Sequence, residues 1–130
     1  MAKAKEKTIC MLASGSIDTK AGDSKSTVYT VPPGKKAVIT HVVIRNPSAS
    51  LAGGSDFDIG STANADTWRQ AITLVSLTAT TDYIVIPSIA AIPVKYTLEV
   101  AAAAFGIKPI TGATLDSTAT MEVFGYEMDA

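Results

Sequence analysis

At 130 residues, with 47% hydrophobic and 18% charged residues, the chain has the length of one domain and can bury roughly two-thirds of the surface its unfolded form exposes. Its single cysteine, Cys10, excludes an intrachain disulfide and a multi-cysteine metal site, and its single histidine, His41, excludes His-rich zinc or iron sites, so no cofactor is expected. The net charge of −1 is unevenly spread: residues 1–46 carry eight Lys or Arg against three acids and residues 47–130 three against nine, a polarity suited to docking between subunits, with no dense basic run to support nucleic-acid binding.

Met1 to Lys7 reads as a flexible arm bearing Lys3, Lys5 and Lys7, with residues 8–130 forming one domain behind it. The apolar run that follows, Ile9 to Ala13, is too short for a signal-peptide core, and no run reaches the length of a membrane span. An unprocessed, soluble protein with no membrane partner is expected. A first short strand is predicted over Thr8 to Ala13, followed by a polar turn region from Ser14 to Lys25. Ser26 to Val31 and Ala37 to Asn46, rich in Val, Ile, Thr and Tyr, read as consecutive strands around the turn Pro32-Pro33-Gly34-Lys35-Lys36.

Pro47 to Gly54 is a loop of small residues, and Ser55 to Gly60 alternates strictly, with Phe57 and Ile59 inward and Asp56 and Asp58 outward. After a polar loop over Ser61 to Thr67, Trp68 to Leu77 reads as a short helical turn or a strand, the strand being favoured, with Ile72, Leu74 and Ser76 on one face. Asp82 to Ile86 is a short strand stopped by Pro87. Val94 to Val100 is the cleanest alternation, predicting Val94, Tyr96, Leu98 and Val100 inward and Lys95, Thr97 and Glu99 outward. Phe105 to Ser117, interrupted by Gly106, Pro109 and Gly112, reads as a loop, and Thr118 to Met128 as the last strand. About eight short strands with no long helix predict an all-β sandwich or barrel.

Two strands are apolar on both faces. In Ala37 to Ile44 both alternating sets are apolar, and the last strand sets Met121 and Val123 against Phe124, Tyr126 and Met128. A two-layer sandwich covers only one face of each strand. Since burying a large apolar side chain is worth about 1.5 to 3 kcal/mol, the second face is expected to meet a neighbouring subunit or the arm.

Catalytic patterns are missing. His41 lies inside an apolar strand and no Gly-x-Ser-x-Gly elbow accompanies it, so a structural histidine and a non-enzymatic protein are expected. Asp56 and Asp58, with Asp66 and Asp82, suggest an oxygen-ligand calcium site, but the Asp-x-Asp-x-Asp-Gly pattern is absent and alternating acids ordinarily keep a strand face solvated. Trp68, in a loop beside Arg69, is the aromatic best placed by sequence to stack on a sugar.

The run Tyr29 to Thr40, with a strand ending Ile44-Arg45-Asn46, and the closing Ala119 to Glu127 resemble small jelly-roll structural proteins of tailed-phage virions. The resemblance implies an eight-stranded antiparallel jelly-roll β-sandwich and a role in the virion, assembled in the host bacterial cytoplasm. A capsid decoration or cement protein would form a homo-trimer and bind the major capsid protein or another virion protein. Its assembly surface is expected around Val38, Val42, Phe124, Tyr126 and the three lysines of the arm. The other reading is a tail or fibre module that binds host glycan through Trp68 and Arg69.

Overall fold

The computed structural model describes residues 8–20, 24–88 and 98–130. Nine strands lie among them: β1 (Cys10–Asp18), β2 (Ser26–Thr30), β3 (Lys35–Arg45), β4 (Asp56–Gly60), β5 (Arg69–Ile72), β6 (Tyr83–Pro87), β7 (Leu98–Glu99), β8 (Ala104–Thr111) and β9 (Thr118–Asp129). One antiparallel sheet runs β1-β9-β3-β6, with the two-residue β7 also on β3, and the other runs β2-β8-β4-β5. The chain passes back and forth between a five-stranded and a four-stranded layer, which is the jelly-roll form of an all-β sandwich. No helix among the described residues is long and apolar enough to cross a membrane.

The core fills the space between the layers. Phe57, Ile59, Phe105 and Ile107 from one sheet meet Ile17, Ile39, Val42, Ile44, Met121 and Val123 from the other. The alternation predicted for Ser55 to Gly60 places Phe57 and Ile59 in this core. The Pro-Pro-Gly turn is not a hairpin, because the strands it joins belong to different sheets. Lys35 N–H donates to the Pro32 carbonyl at 3.2 Å, and Gly34 takes φ +73°, the backbone a type II turn requires at its third residue.

Three boundaries differ from the sequence reading. β1 continues through Ser14 to Asp18, because Gly15 and Ile17 face inward and Ser14 and Ser16 outward, an alternation that small polar residues disguise as a turn. The predicted loop from Phe105 contains β8, an interior strand of its sheet. Gly106 is there because any Cβ would strike the Ser26 carbonyl of the adjoining strand, so the glycine marks close strand approach and no break. The strand predicted over Trp68 to Leu77 shortens to Arg69–Ile72; Leu74 and Leu77 are both buried, and Leu77 N–H closes a turn onto the Leu74 carbonyl at 3.0 Å.

A β-bulge explains the two-faced strand. Ile39 lies opposite Gly125 and His41 opposite Phe124, so Thr40 is an extra residue and the side-chain parity of β3 reverses there. Ala37, Ile39, Val42 and Ile44 therefore all face the core, leaving Val38, His41, Val43 and Arg45 outside. Thr40 Oγ1 donates to the Phe124 carbonyl at 3.2 Å and so holds the bulge.

Candidate functional site

The outer face of the β1-β9-β3-β6 sheet brings aromatic, apolar and charged side chains together on one surface. Register builds it in rows: Leu98, Val38 and Tyr126 in one, then Pro87, His41, Phe124 and Met11 in the next. Beyond these come Val85, Val43 and Glu122, then Tyr83, Arg45 and Thr120. The face grades from apolar to polar, and Arg45 Nη2 pairs with Glu122 at 3.1 Å at the polar end. His41 stacks on Phe124, with ring centroids 4.7 Å apart and planes 6° from parallel. Burial lowers the His41 pKa below its ordinary value, which favours the neutral ring.

Strand β7 faces the opposite way from its sequence pattern. Leu98 lies beside Val38 on the outer face and is 43% exposed, the following Val100 is 58% exposed, and Glu99, beside Ala37, is 3% exposed. The pattern Leu-Glu-Val predicted the reverse. Register on β3 overrides it: Ala37 points into the core and Val38 out of it, and each β7 residue follows its partner. Val94, Tyr96, Lys95 and Thr97, from the same predicted strand, lie outside the described residues.

Glu99 is accordingly a costly group. Its Oε2 is buried without a hydrogen-bond partner. In the same row Glu127 is also buried, and it accepts a hydrogen bond from the Tyr29 hydroxyl at 2.6 Å. Burial lowers the Lys25 pKa and the negative charge of Glu99 partly restores it, so Lys25 is the cation whose field reaches Glu99. Its ammonium donates to the carbonyls of Ser61 and Ala104.

Of the residues singled out by sequence, Val38, Phe124 and Tyr126 come together on the outer face. Val42 does not: the bulge turns it into the core, where it is fully buried. Lys3, Lys5 and Lys7 lie outside the described residues. Trp68 is 5% exposed, packs edge-on against Phe105 at 5.6 Å and donates its indole N–H to the Ile39 carbonyl at 3.2 Å, so its ring has no free face for a sugar. Arg69 reaches across the open side of the sandwich and donates to the carbonyl of Pro87 at 2.9 Å. Asp58 and Asp82 accept backbone N–H bonds from Ala71, Thr78 and Ala79, and Asp66 accepts from the Thr62 hydroxyl; among the described residues no three ligating side chains converge on a metal position. Sequence reasoning missed Met11, Tyr83, Val85 and Leu98 as outer-face residues. For Tyr83 and Val85 the signal was the uninterrupted Tyr83-Ile84-Val85-Ile86, which no single buried face can absorb.

No protein-family profile and no curated protein matches the sequence. Two solved structures match the fold. A chain in the capsid asymmetric unit of cyanophage Pam1 superposes with a TM-score of 0.53 at 14% identity, over 91% of this chain and 84% of that one. A chain in the acidic stable capsid of Helicobacter pylori bacteriophage KHP30 superposes with a TM-score of 0.48 at 9% identity, over 95% and 98%. The first of these carries the likeness, which is one of fold.

Proposed function

We propose that this chain is a non-enzymatic structural protein of a phage particle, a decoration or cement protein that lies on the head shell as a homo-oligomer. The inverted β7 is the observation that carries the reading. Burying a carboxylate oxygen without a partner costs about 1 to 3 kcal/mol, and leaving Leu98 and Val100 in water forgoes further stabilisation. A covered outer face offsets part of that loss, because Leu98 and Val100 then leave water and, with Tyr126, Phe124 and the already buried Val38, form the dry centre of an interface, with Arg45 and Glu122 on its rim. The fold shared with a chain of a phage capsid asymmetric unit supports the same reading.

In this reading the oligomer is a trimer and the second surface is the major capsid protein or another virion protein. Cement action is then mechanical: contacts laid across the joints between shell subunits must break before the joints can open. The basic arm, with Lys3, Lys5 and Lys7, supplies charge for an acidic neighbour. The glycan-binding alternative depended on an exposed Trp68, and that ring is in the core.

The test compares shells with and without the protein. Shells that carry it should resist heat to a higher temperature, and Tyr126→Asp should abolish binding and protection while the isolated variant remains folded. Equal resistance with and without the bound protein would refute the cement role.

A further inference from the structure

The two sides of the sandwich are finished differently. On one side the edge strands β1 and β2 lie together, with Asp18 N–H donating to Ser26 Oγ at 3.1 Å. On the other, β5 and β6 stand apart around an open groove of about 270 Å³, walled by Ile72, Thr73, Ile84 and Ile86 and bridged by Arg69.

Two bonds fix which way the backbone of β6 faces. Ser88 N–H donates to the Thr40 carbonyl at 3.2 Å, toward β3, whereas the Pro87 carbonyl is turned away and accepts from Arg69 at 2.9 Å. Successive strand residues present their N–H and C=O groups to opposite sides. Tyr83 and Val85 thus share the orientation of Pro87 and direct two donors and two acceptors to the open edge, while Ile84 and Ile86 face β3. Edge strands are usually guarded by lysine, inward charge, bulges or proline. Tyr83 to Ile86 has none of these, and Pro87 closes only one end.

We propose that β6 pairs with β6 of a second copy, antiparallel, about a two-fold axis through Ile84. In that register Tyr83 exchanges both backbone bonds with Val85 of the second copy, and Val85 with its Tyr83, so all four edge groups on each side are satisfied. Pro87 falls outside the overlap, its carbonyl already held by Arg69. Centring the axis on Val85 would instead set Tyr83 against Pro87, which has no N–H to give. The side chains suit the same register: two Tyr–Val pairs lie on the outer face and Ile84 meets Ile84 on the groove side. The outer row of Val43 and Val85 then continues across both copies, which extends the candidate assembly face. A second copy is therefore the occupant that matches this edge; the pairing is a two-fold contact distinct from the three-fold contact of the proposed trimer, and it does not depend on the virion reading.

Cysteine cross-linking in a Cys10→Ser background reads the register directly. Ile84→Cys places two thiols in a non-hydrogen-bonded pair, with Cα atoms about 4.5 Å apart, inside disulfide reach. Val85→Cys places its thiols two positions out of register. Mild oxidation should therefore link the first variant into a covalent dimer and leave the second unlinked. Val85→Pro removes an N–H that has no backbone acceptor among the described residues, and should weaken self-association in sedimentation by about tenfold or more without lowering the melting midpoint. Equal cross-linking of both cysteine variants, or a parent chain that stays monomeric at its highest soluble concentration, would overturn the pairing. Should Val85→Pro fail to fold, the cysteine pair alone decides.

Discussion

The Tyr29 hydroxyl donates to the Glu127 carboxylate at 2.6 Å through the interior of the sandwich, a polar bond that ties β2 of one sheet to β9 of the other. Burial first, and then this bond, raise the Tyr29 pKa well above its ordinary value of 10.0. The folded state therefore holds the phenolic proton more tightly than the unfolded chain does. The stability this contributes is complete below pH 10 and is lost as pH rises from there through the folded pKa. Tyr29→Phe leaves Glu127 buried without its donor and should cost about 1 to 3 kcal/mol at neutral pH. Denaturant titrations at pH 7 and pH 11 check both parts: the variant should be weaker at pH 7 and lose less than the parent on alkalinisation.

Gly125 occupies the point on β9 where β3 bulges toward it. A Cβ at this position would strike the Val38 carbonyl and crowd Ile39 Cα, both of them backbone atoms that cannot swing aside. Gly125→Ala should destabilise the protein by about 1 to 3 kcal/mol or more, against the usual direction for a glycine within a strand. Gly15→Ala on β1 is the control. Its new Cβ meets only Val28 side-chain atoms, at 3.7 Å, and stability should hold or improve. Melting midpoints of the two variants should move apart.

Much of this architecture was legible from alternation alone, as Phe57 and Ile59 in β4 show. What defeated the reading was parity that cannot be counted along the chain. The extra residue Thr40 flips β3 in the middle, so Val38 and Val42, assigned to one surface, point to opposite sides of the sheet. Leu98 and Glu99 take their faces from Val38 and Ala37 on another strand, and no feature of the local sequence records that register. Gly106 reads as loop punctuation because its steric purpose exists only once β2 lies alongside β8. The polar neighbours of Trp68 make it a candidate sugar platform, but packing is the commoner role for such a ring, and its indole N–H indeed serves a buried carbonyl. The candidate site was visible only as an excess of apolar residues on β3 and β9, without the contributions of β1, β6 and β7.

Glu99 gives a prediction of opposite sign to most core substitutions. Glu99→Leu removes a buried carboxylate whose Oε2 has no partner and puts an apolar side chain in its place. Removing a buried polar atom that lacks a partner in this way stabilises by about 1 to 3 kcal/mol. Some of that gain is offset at Lys25, which loses the negative charge that supports its protonated form. The net change should be a rise of a few degrees in melting midpoint. A fall would mean that the carboxylate is satisfied by a group beyond the described residues.

The outer face can be tested separately from the fold. Leu98 and Val100 are already about half exposed, so Leu98→Ser with Val100→Ser should change the stability of the isolated chain by no more than about 0.5 kcal/mol per site. Binding to shells is where the pair should matter. Covering the remaining apolar surface of each residue is worth about 1 kcal/mol, so losing both should weaken shell binding roughly 30-fold. Ile110→Ser, on β8 of the other sheet and 46% exposed, removes comparable apolar surface from outside the proposed interface and should leave binding unchanged. Sedimentation of each variant with protein-free shells measures the contrast. If Ile110→Ser weakens binding as much as the double variant, the contact is a general apolar attraction and β7 has no special part in it. If only the double variant binds weakly, the inversion that buries Glu99 is explained by the surface it turns outward.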